Sequence, residues 1–307
     1  MSQQITEAFV QQYGANVMHL SQQKGSKLRP FVRSESQQSK SKFFERIGTV
    51  SAIKKVGRHS STPQMDTPHS RRMVTLEDYE WADLVDDQDK IRLLISPESE
   101  YVMAAMWAMG RAMDDVIIAS ALGTAYAGEN GQTAVVLPNA QKYAANNATA
   151  FTNLNVRTLR AIKRMFAANE VEGNLNIAVS SSQIEAMLGQ TEVTNSDYNS
   201  VKALVQGEVD SFMGFKFHSI ERLTSQSASL DADPTTGVVG AGSSVVGFKK
   251  CFAWASEGVL LSVGKDATNK ISERSDKSYA MQVYSCMSIG GTRMEEAKVI
   301  EVLCKES

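Results

Sequence analysis

One apolar helical pattern limits what this chain can fold into more than any other feature. It opens at Ser96-Pro97-Glu98. Ser96 can cap, Pro97 suits the first helical position, and Glu98 and Glu100 favour the positive end of the helix dipole. The pattern runs through Val102, Ala105, Met106, Met109, Met113, Val116, Ile117, Ala121 and Leu122 to a stop near Gly128, with Gly110 and Gly123 as interior weak points. About 30 residues at ~1.5 Å each give ~45 Å. A compact body of 307 residues has a radius of gyration of only ~19 Å. The helix then runs nearly the length of the body, and a flattened or elongated body is expected. Its methionines read as core packing rather than a ligand surface. It is not a membrane span: Arg111, Asp114 and Asp115 leave its longest uncharged piece short of the ~20 residues a bilayer needs.

The segment ahead of that helix is poor in apolar groups. Residues 1–42 hold eight Gln and seven Ser, and the stretch from Lys24 to Pro30 has too little to bury to order itself. An arm is expected there, loose or ordered on a partner, with Phe9, Val10, Val17, Met18 and Leu20 as a short helix or docking patch. Two strand-like runs follow, Phe43–Val56 and Arg72–Val85, around a turn-rich tip holding Pro63, Thr67 and Pro68. Neither alternates cleanly. A long hairpin with so weak an apolar face needs another surface to hold it.

Beyond the helix the chain reads as mixed. A short strand is expected at Ala134–Leu137, helices at Asn155–Ala168, Gln183–Leu188 and Ser196–Val209, and strands at Leu175–Val179, Phe212–Ile220, Val245–Ala255 and Val259–Val263. In the first of these helices Arg157, Arg160, Lys163 and Arg164 point outward. Ser225–Ser244 reads as a surface loop. Tyr279, Met281, Val283, Met287 and Ile289 share one face of a strand that turns at Gly290-Gly291, and Lys298–Leu303 closes the chain. The class is α+β.

Charge is uneven. Residues 1–72 carry a net +8 and residues 73–100 a net −7, whereas the whole chain is at −2. A basic front beside an acidic block can pair within a molecule or between copies. Three cysteines, Cys251, Cys286 and Cys304, are odd in number and widely spaced, which fits a reducing compartment better than a disulfide framework. The start at Met1 has no basic or apolar leader pattern.

Chemistry is hard to find. His19, His59, His69 and His218 form no ligand spacing with the cysteines, so no metal or other cofactor is expected. The Gly237–Gly247 stretch lacks the ending of a phosphate loop, and Gly242-Ser243-Ser244 does not complete a nucleophile elbow. Asp83, Asp86, Asp87 and Asp89 lack the order of a calcium loop. Asp114-Asp115 inside the helix call for a partner: a neighbouring arginine is the structural reading, and acid–base work the alternative. No catalytic residue is named.

Several features together resemble a known family. They are the polar arm, the weakly faced hairpin, the Ser96-Pro97-Glu98 helix, the Phe212-Met213-Gly214-Phe215-Lys216-Phe217 stretch, and the ending Ser278–Tyr284, Gly290-Gly291, Ala297–Val302. This order is similar to the tailed-phage major capsid protein of the Hong Kong 97 fold, over essentially the whole chain. The resemblance implies an N-terminal arm at 1–42 and an extended β-hairpin loop at 43–95. It implies a peripheral domain with the spine helix at 96–149 and 271–307, and an axial domain at 150–270. It implies hexamers and pentamers in an icosahedral shell of a virion, assembled in the host cytoplasm around double-stranded DNA held by weak, non-specific contact. The implied partners are sister copies, a portal, a separate scaffolding protein and decoration proteins, with no membrane.

Contacts between copies are expected at Arg29, Arg33, Lys54, Lys55, Arg58, Arg71 and Arg72 on the basic front, and at Glu77, Asp78, Asp86 and Asp87 on the acidic block. Removing residues 1–42 is expected to leave a folded monomer unable to form shells. The competing readings are a nucleic-acid-binding protein that uses the basic arm, a non-viral nanocompartment shell of the same fold, and an enzyme with its pocket near Asp114-Asp115 or the glycine loop.

Overall fold

The computed structural model describes residues 21–55, 57–58, 61–62, 64–85, 98–190, 211–227, 230–240 and 242–306. The expected patch at Phe9 to Leu20, the Ser96-Pro97 cap, the acids Asp86 and Asp87, His59 and the helix at Ser196–Val209 lie outside them. In chain order the strands are β1 (Arg33–Ser36), β2 (Ser41–Ile47), β3 (His69–Thr75) and β4 (Glu77–Val85), then helix α1 (Glu98–Leu122). Next come β5 (Ala125–Ala127), β6 (Thr133–Val135), β7 (Lys142–Ala144), helix α2 (Val156–Ala168), β8 (Leu175–Val179) and helix α3 (Ser181–Leu188). The remainder is β9 (Ser211–Phe212), β10 (Phe215–Ser219), β11 (Asp231–Ala232), β12 (Ser243–Ser244), β13 (Lys249–Ala255), β14 (Val259–Arg274), β15 (Ala280–Arg293) and β16 (Val299–Cys304).

Chain contacts divide the protein into two compact units: residues 1–26, 78–113 and 265–288 in one, and 27–77, 114–264 and 289–307 in the other. α1, β14 and β15 each run through both units.

The larger unit holds a six-stranded sheet of order β7-β16-β13-β8-β10-β9. Its central strand β13 carries Cys251, Phe252, Ala253 and Trp254, all 0% exposed. A strand covered on both faces reads as a continuous apolar run, which is why no alternation marked it. α2 covers the sheet with Leu159, Ile162 and Phe166, and Asn155 caps it by accepting from the Thr158 amide at 2.7 Å. His218 on β10 stacks against Phe31, with ring centroids 4.0 Å apart, and contacts Asn176 at 3.1 Å. The loop expected over Ser225–Ser244 is not merely a surface excursion. Its Ala232 and Val239 are buried with Ala144, Val245, Phe248 and Leu303 in one apolar cluster.

A second sheet of order β2-β3-β5-β6 carries the hairpin. The two long strands expected there are shorter. β2 pairs antiparallel with β3 from Ser41↔Thr75 to Ile47↔His69, and the second run breaks at Leu76 into β3 and β4 of different sheets. The expected free arm is also divided. Leu28 is 0% exposed, the Trp254 indole donates to the Phe31 carbonyl at 3.0 Å, and β1 pairs in parallel with β14 from Arg33↔Leu260. Residues 28–37 are therefore anchored on the larger unit, with Leu28, Val32 and Gln37 buried.

α1 buries Ala105, Met109, Met113, Ile117 and Ala121 on one face, while Met106, expected inward, is exposed. It stops at Leu122, short of Gly128, and the chain turns into β5. In the smaller unit Gly110 is where the chain crosses it: a Cβ there would lie 2.4 Å from the Gly25 carbonyl carbon. Gly290-Gly291 is likewise no turn. β15 runs straight through, because a Cβ at Gly290 would meet the Thr75 carbonyl oxygen at 2.3 Å and one at Gly291 the Ser120 hydroxyl at 2.3 Å. The expected strand Phe212–Ile220 is a tight hairpin of β9 and β10, with Met213 and Gly214 both at positive φ.

Candidate functional site: an assembly surface

The base of the β2–β3 hairpin is fixed from both faces of the chemistry. Phe44 and Val74 pack on Leu260 and Met294 in a small apolar cluster. Beside it Arg72, 2% exposed, bonds Glu296, and Arg293, 0% exposed, lies with Nε 3.7 Å from the same carboxylate. Arg46 reaches Glu296 at 3.9 Å and donates to the Met294 carbonyl. The Arg293 guanidinium also donates to the carbonyls of Ala121, Gly123 and Val135 at 2.8 to 3.0 Å. Burial holds both guanidiniums below the usual arginine value, with Glu296 opposing the shift. Arg72 Nε and Nη1 and Arg293 Nε find no acceptor among the described residues. Three arginines thus converge on one carboxylate.

Past Gly48, whose amide donates to the Pro68 carbonyl at 2.8 Å, the pairing stops. The described residues between there and Pro68 form no helix or strand. Ile47 is 71% exposed, Val50 60%, Ile53 56% and Met65 43%. A run of exposed aliphatic side chains on a segment without its own core marks an interaction surface.

The predicted contact residues fall into distinct settings. Lys54, Lys55 and Arg58 are exposed on this same segment. Arg33 is exposed on β1 and pairs with Glu35. Arg29 is half-buried in a short 3-10 turn, and Arg71 lies over the Phe43 ring at 5.4 Å. Glu77 and Asp78 are exposed at the start of β4, where Asp78 accepts from the Ser288 hydroxyl. Arg72 departs from the group: its charge is spent inside the chain on Glu296. Sequence reading missed Arg46, Arg293 and Glu296. A signal existed for Arg293, an odd-numbered residue in phase with the buried Val283, Met287 and Ile289 of β15.

The enzyme-like features resolve structurally. Asp114, 0% exposed, accepts the backbone amides of Lys27 at 3.0 Å and Leu28 at 3.1 Å. Asp115 takes the expected arginine, Arg222, through two N–H groups, one at 2.6 Å. That contact raises the Arg222 pKa above its ordinary value. Among the described residues no cluster of His, Cys, Asp or Glu could hold a metal ion. A cleft of about 470 Å³ is lined by Glu45, His69, Ser70, Arg71 and Glu129.

A family model described as phage capsid protein matches residues 5–306. The chain belongs to the phage capsid protein family. It is therefore a structural component of a virion shell. Comparison with curated proteins gives no match. Among solved structures, the capsid of the cyanophage P-SCSP1u matches with a TM-score of 0.73 at 15% identity, covering 99% of this chain and 95% of that one. The capsid of Ralstonia phage GP4 matches at 0.69 with 9% identity, over 96% and 95% of the two chains. The cyanophage Pam1 capsid subunit matches at 0.68 with 10% identity, over 98% and 97%. At such identities the likeness is one of fold, and that fold is the capsid fold of tailed phages.

Proposed function

We propose that copies of this capsid protein close as hexamers and pentamers into the icosahedral shell of a tailed phage, assembled in the host cytoplasm around double-stranded DNA. The observation that carries the reading is the exposed aliphatic row Ile47, Val50, Ile53 and Met65 on a segment with no core of its own. A lone molecule gains nothing from that row, whereas a neighbouring copy can cover it, at roughly 25 cal/mol per Å² of apolar surface buried. Lys54, Lys55 and Arg58 lie on the same segment, and Arg29, Arg33 and Arg71 supply further cations. Glu77 and Asp78, with Asp86 and Asp87 of the acidic block, are the complementary contacts. Each such pair is worth only ~0–1 kcal/mol, so the apolar row drives assembly and the charges select register. Peripheral and axial domains over 96–149 with 271–307, and over 150–270, are part of this reading, as are a portal, a scaffolding protein and decoration proteins.

The test is negative-stain electron microscopy of the purified full chain beside Val50→Asp/Ile53→Asp. The wild type is expected as megadalton shells and the variant as folded small species. Intact shells from the variant would remove the hairpin from the contact.

A further inference from the structure

The competing nucleic-acid reading places DNA on the basic front, yet the fold pairs part of that charge with its own acids. Arg33 and Lys42 pair with Glu35, and Arg46 and Arg72 with Glu296. A different surface keeps its charge. α2 carries Arg157, Arg160, Lys163 and Arg164, all exposed, on the face opposite the buried Leu159, Ile162 and Phe166. They span ~10 Å of helix axis. Arg157 donates to the Thr235 carbonyl at 3.0 Å and Lys163 to the Met213 carbonyl at 2.8 Å, contacts that position the cations without cancelling them. None of the four forms an ion pair among the described residues.

This pattern works against the helix that carries it. Arg157 sits in the first turn, at the positive end of the dipole, where no acid is present. Arg157 with Arg160, Arg160 with Lys163 and Arg160 with Arg164 are like-charge neighbours at three or four residues, each mildly destabilising. Folding alone gives no reason for it.

We infer that the outer face of α2 is a phosphate-backbone contact surface for duplex DNA. The inference rests on the shell reading above and adds the surface to it. Between the four cations there is no exposed aromatic or large aliphatic side chain to anchor a protein partner. A polyphosphate needs none: cations at this spacing displace condensed counterions, and the contact carries no base preference.

The experiment measures affinity of the full chain for a short duplex as a function of salt, for wild type, Arg160→Gln/Arg164→Gln and Lys54→Gln/Lys55→Gln. Each lost phosphate contact flattens the log–log salt slope by roughly 0.9, so the α2 variant is expected to be shallower by roughly 1.8. Its affinity loss between about 50 and 200 mM salt then shrinks by roughly tenfold. The hairpin variant keeps the wild-type slope. Relief of like-charge repulsion keeps the melting temperature of the α2 variant at or above that of the wild type. An unchanged slope, an equal change in both variants, or a lower melting temperature in the α2 variant overturns the inference. So does displacement of the duplex by polyglutamate as effectively as by unlabelled duplex. Shell formation by microscopy is scored separately: shells with an unchanged slope remove this surface alone, and a flattened slope without shells removes the shell reading alone.

Discussion

Two side chains show how single residues hold this fold. Glu296 is the carboxylate at which Arg46, Arg72 and Arg293 converge, and two of those guanidiniums are within 2% of full burial. Glu296→Gln leaves two buried cations uncompensated, at a cost of about 3–5 kcal/mol. The urea midpoint of the variant reads that loss, and a change under about 1 kcal/mol would show that the carbonyls around Arg293 suffice. His218 works in the opposite sense. Burial, aided by the Lys216 charge, lowers its pKa to about 4, against 6.5 for a free imidazole. The folded state therefore holds the ring neutral where the unfolded chain protonates. Stability is full above pH ~6.5, falls as pH drops from ~6.5 to ~4, and levels off below, a loss of up to about 3 kcal/mol. His218→Gln is expected to flatten stability against pH in that window, and a slope unchanged by the substitution would assign the acid sensitivity elsewhere.

At the scale of elements, close approach explains what sequence reading took for weak points and turns. Gly290→Ala places a methyl against the Thr75 carbonyl at 2.3 Å, backbone that cannot swing aside, and overpacking of this kind costs about 1–3 kcal/mol. Thermal unfolding tests this, and an unperturbed midpoint would mean that β15 and β3 separate more freely than their packing implies. The α1 pattern, the span of α2 and the buried β8 were legible because periodicity is local. The ends of elements were not. β2 stops at Ile47 because Gly48 turns to Pro68, a partner twenty residues away. The arm was misread for a related reason. Leu28 looks isolated in sequence, yet it is fully buried beside Asp114, whose carboxylate binds its amide. Deletion of residues 1–42 is accordingly expected to unfold the larger unit rather than leave a sound monomer. A cooperative, wild-type melt of that truncation would restore the free-arm reading.

For the molecule as a whole, the candidate contact surface was legible in outline but not in detail. A net +8 over residues 1–72 beside a net −7 over residues 73–100 drew attention to the front of the chain, where Lys54, Lys55, Arg58, Glu77 and Asp78 are exposed. It could not separate Arg71, half-exposed over Phe43, from Arg72, buried on the other face of the same strand, because register fixes the face and the partner strand fixes register. Nor did it reveal that the weakness of the hairpin is concentrated past Gly48, while its base has a core of Phe44, Val74, Leu260 and Met294. On the proposed shell reading, residues 48–68 are completed by a sister copy. Amide hydrogen exchange of that segment, compared between free subunits and assembled particles, decides it. Slow exchange only in the particles is predicted. Equal exchange in both states would contradict it.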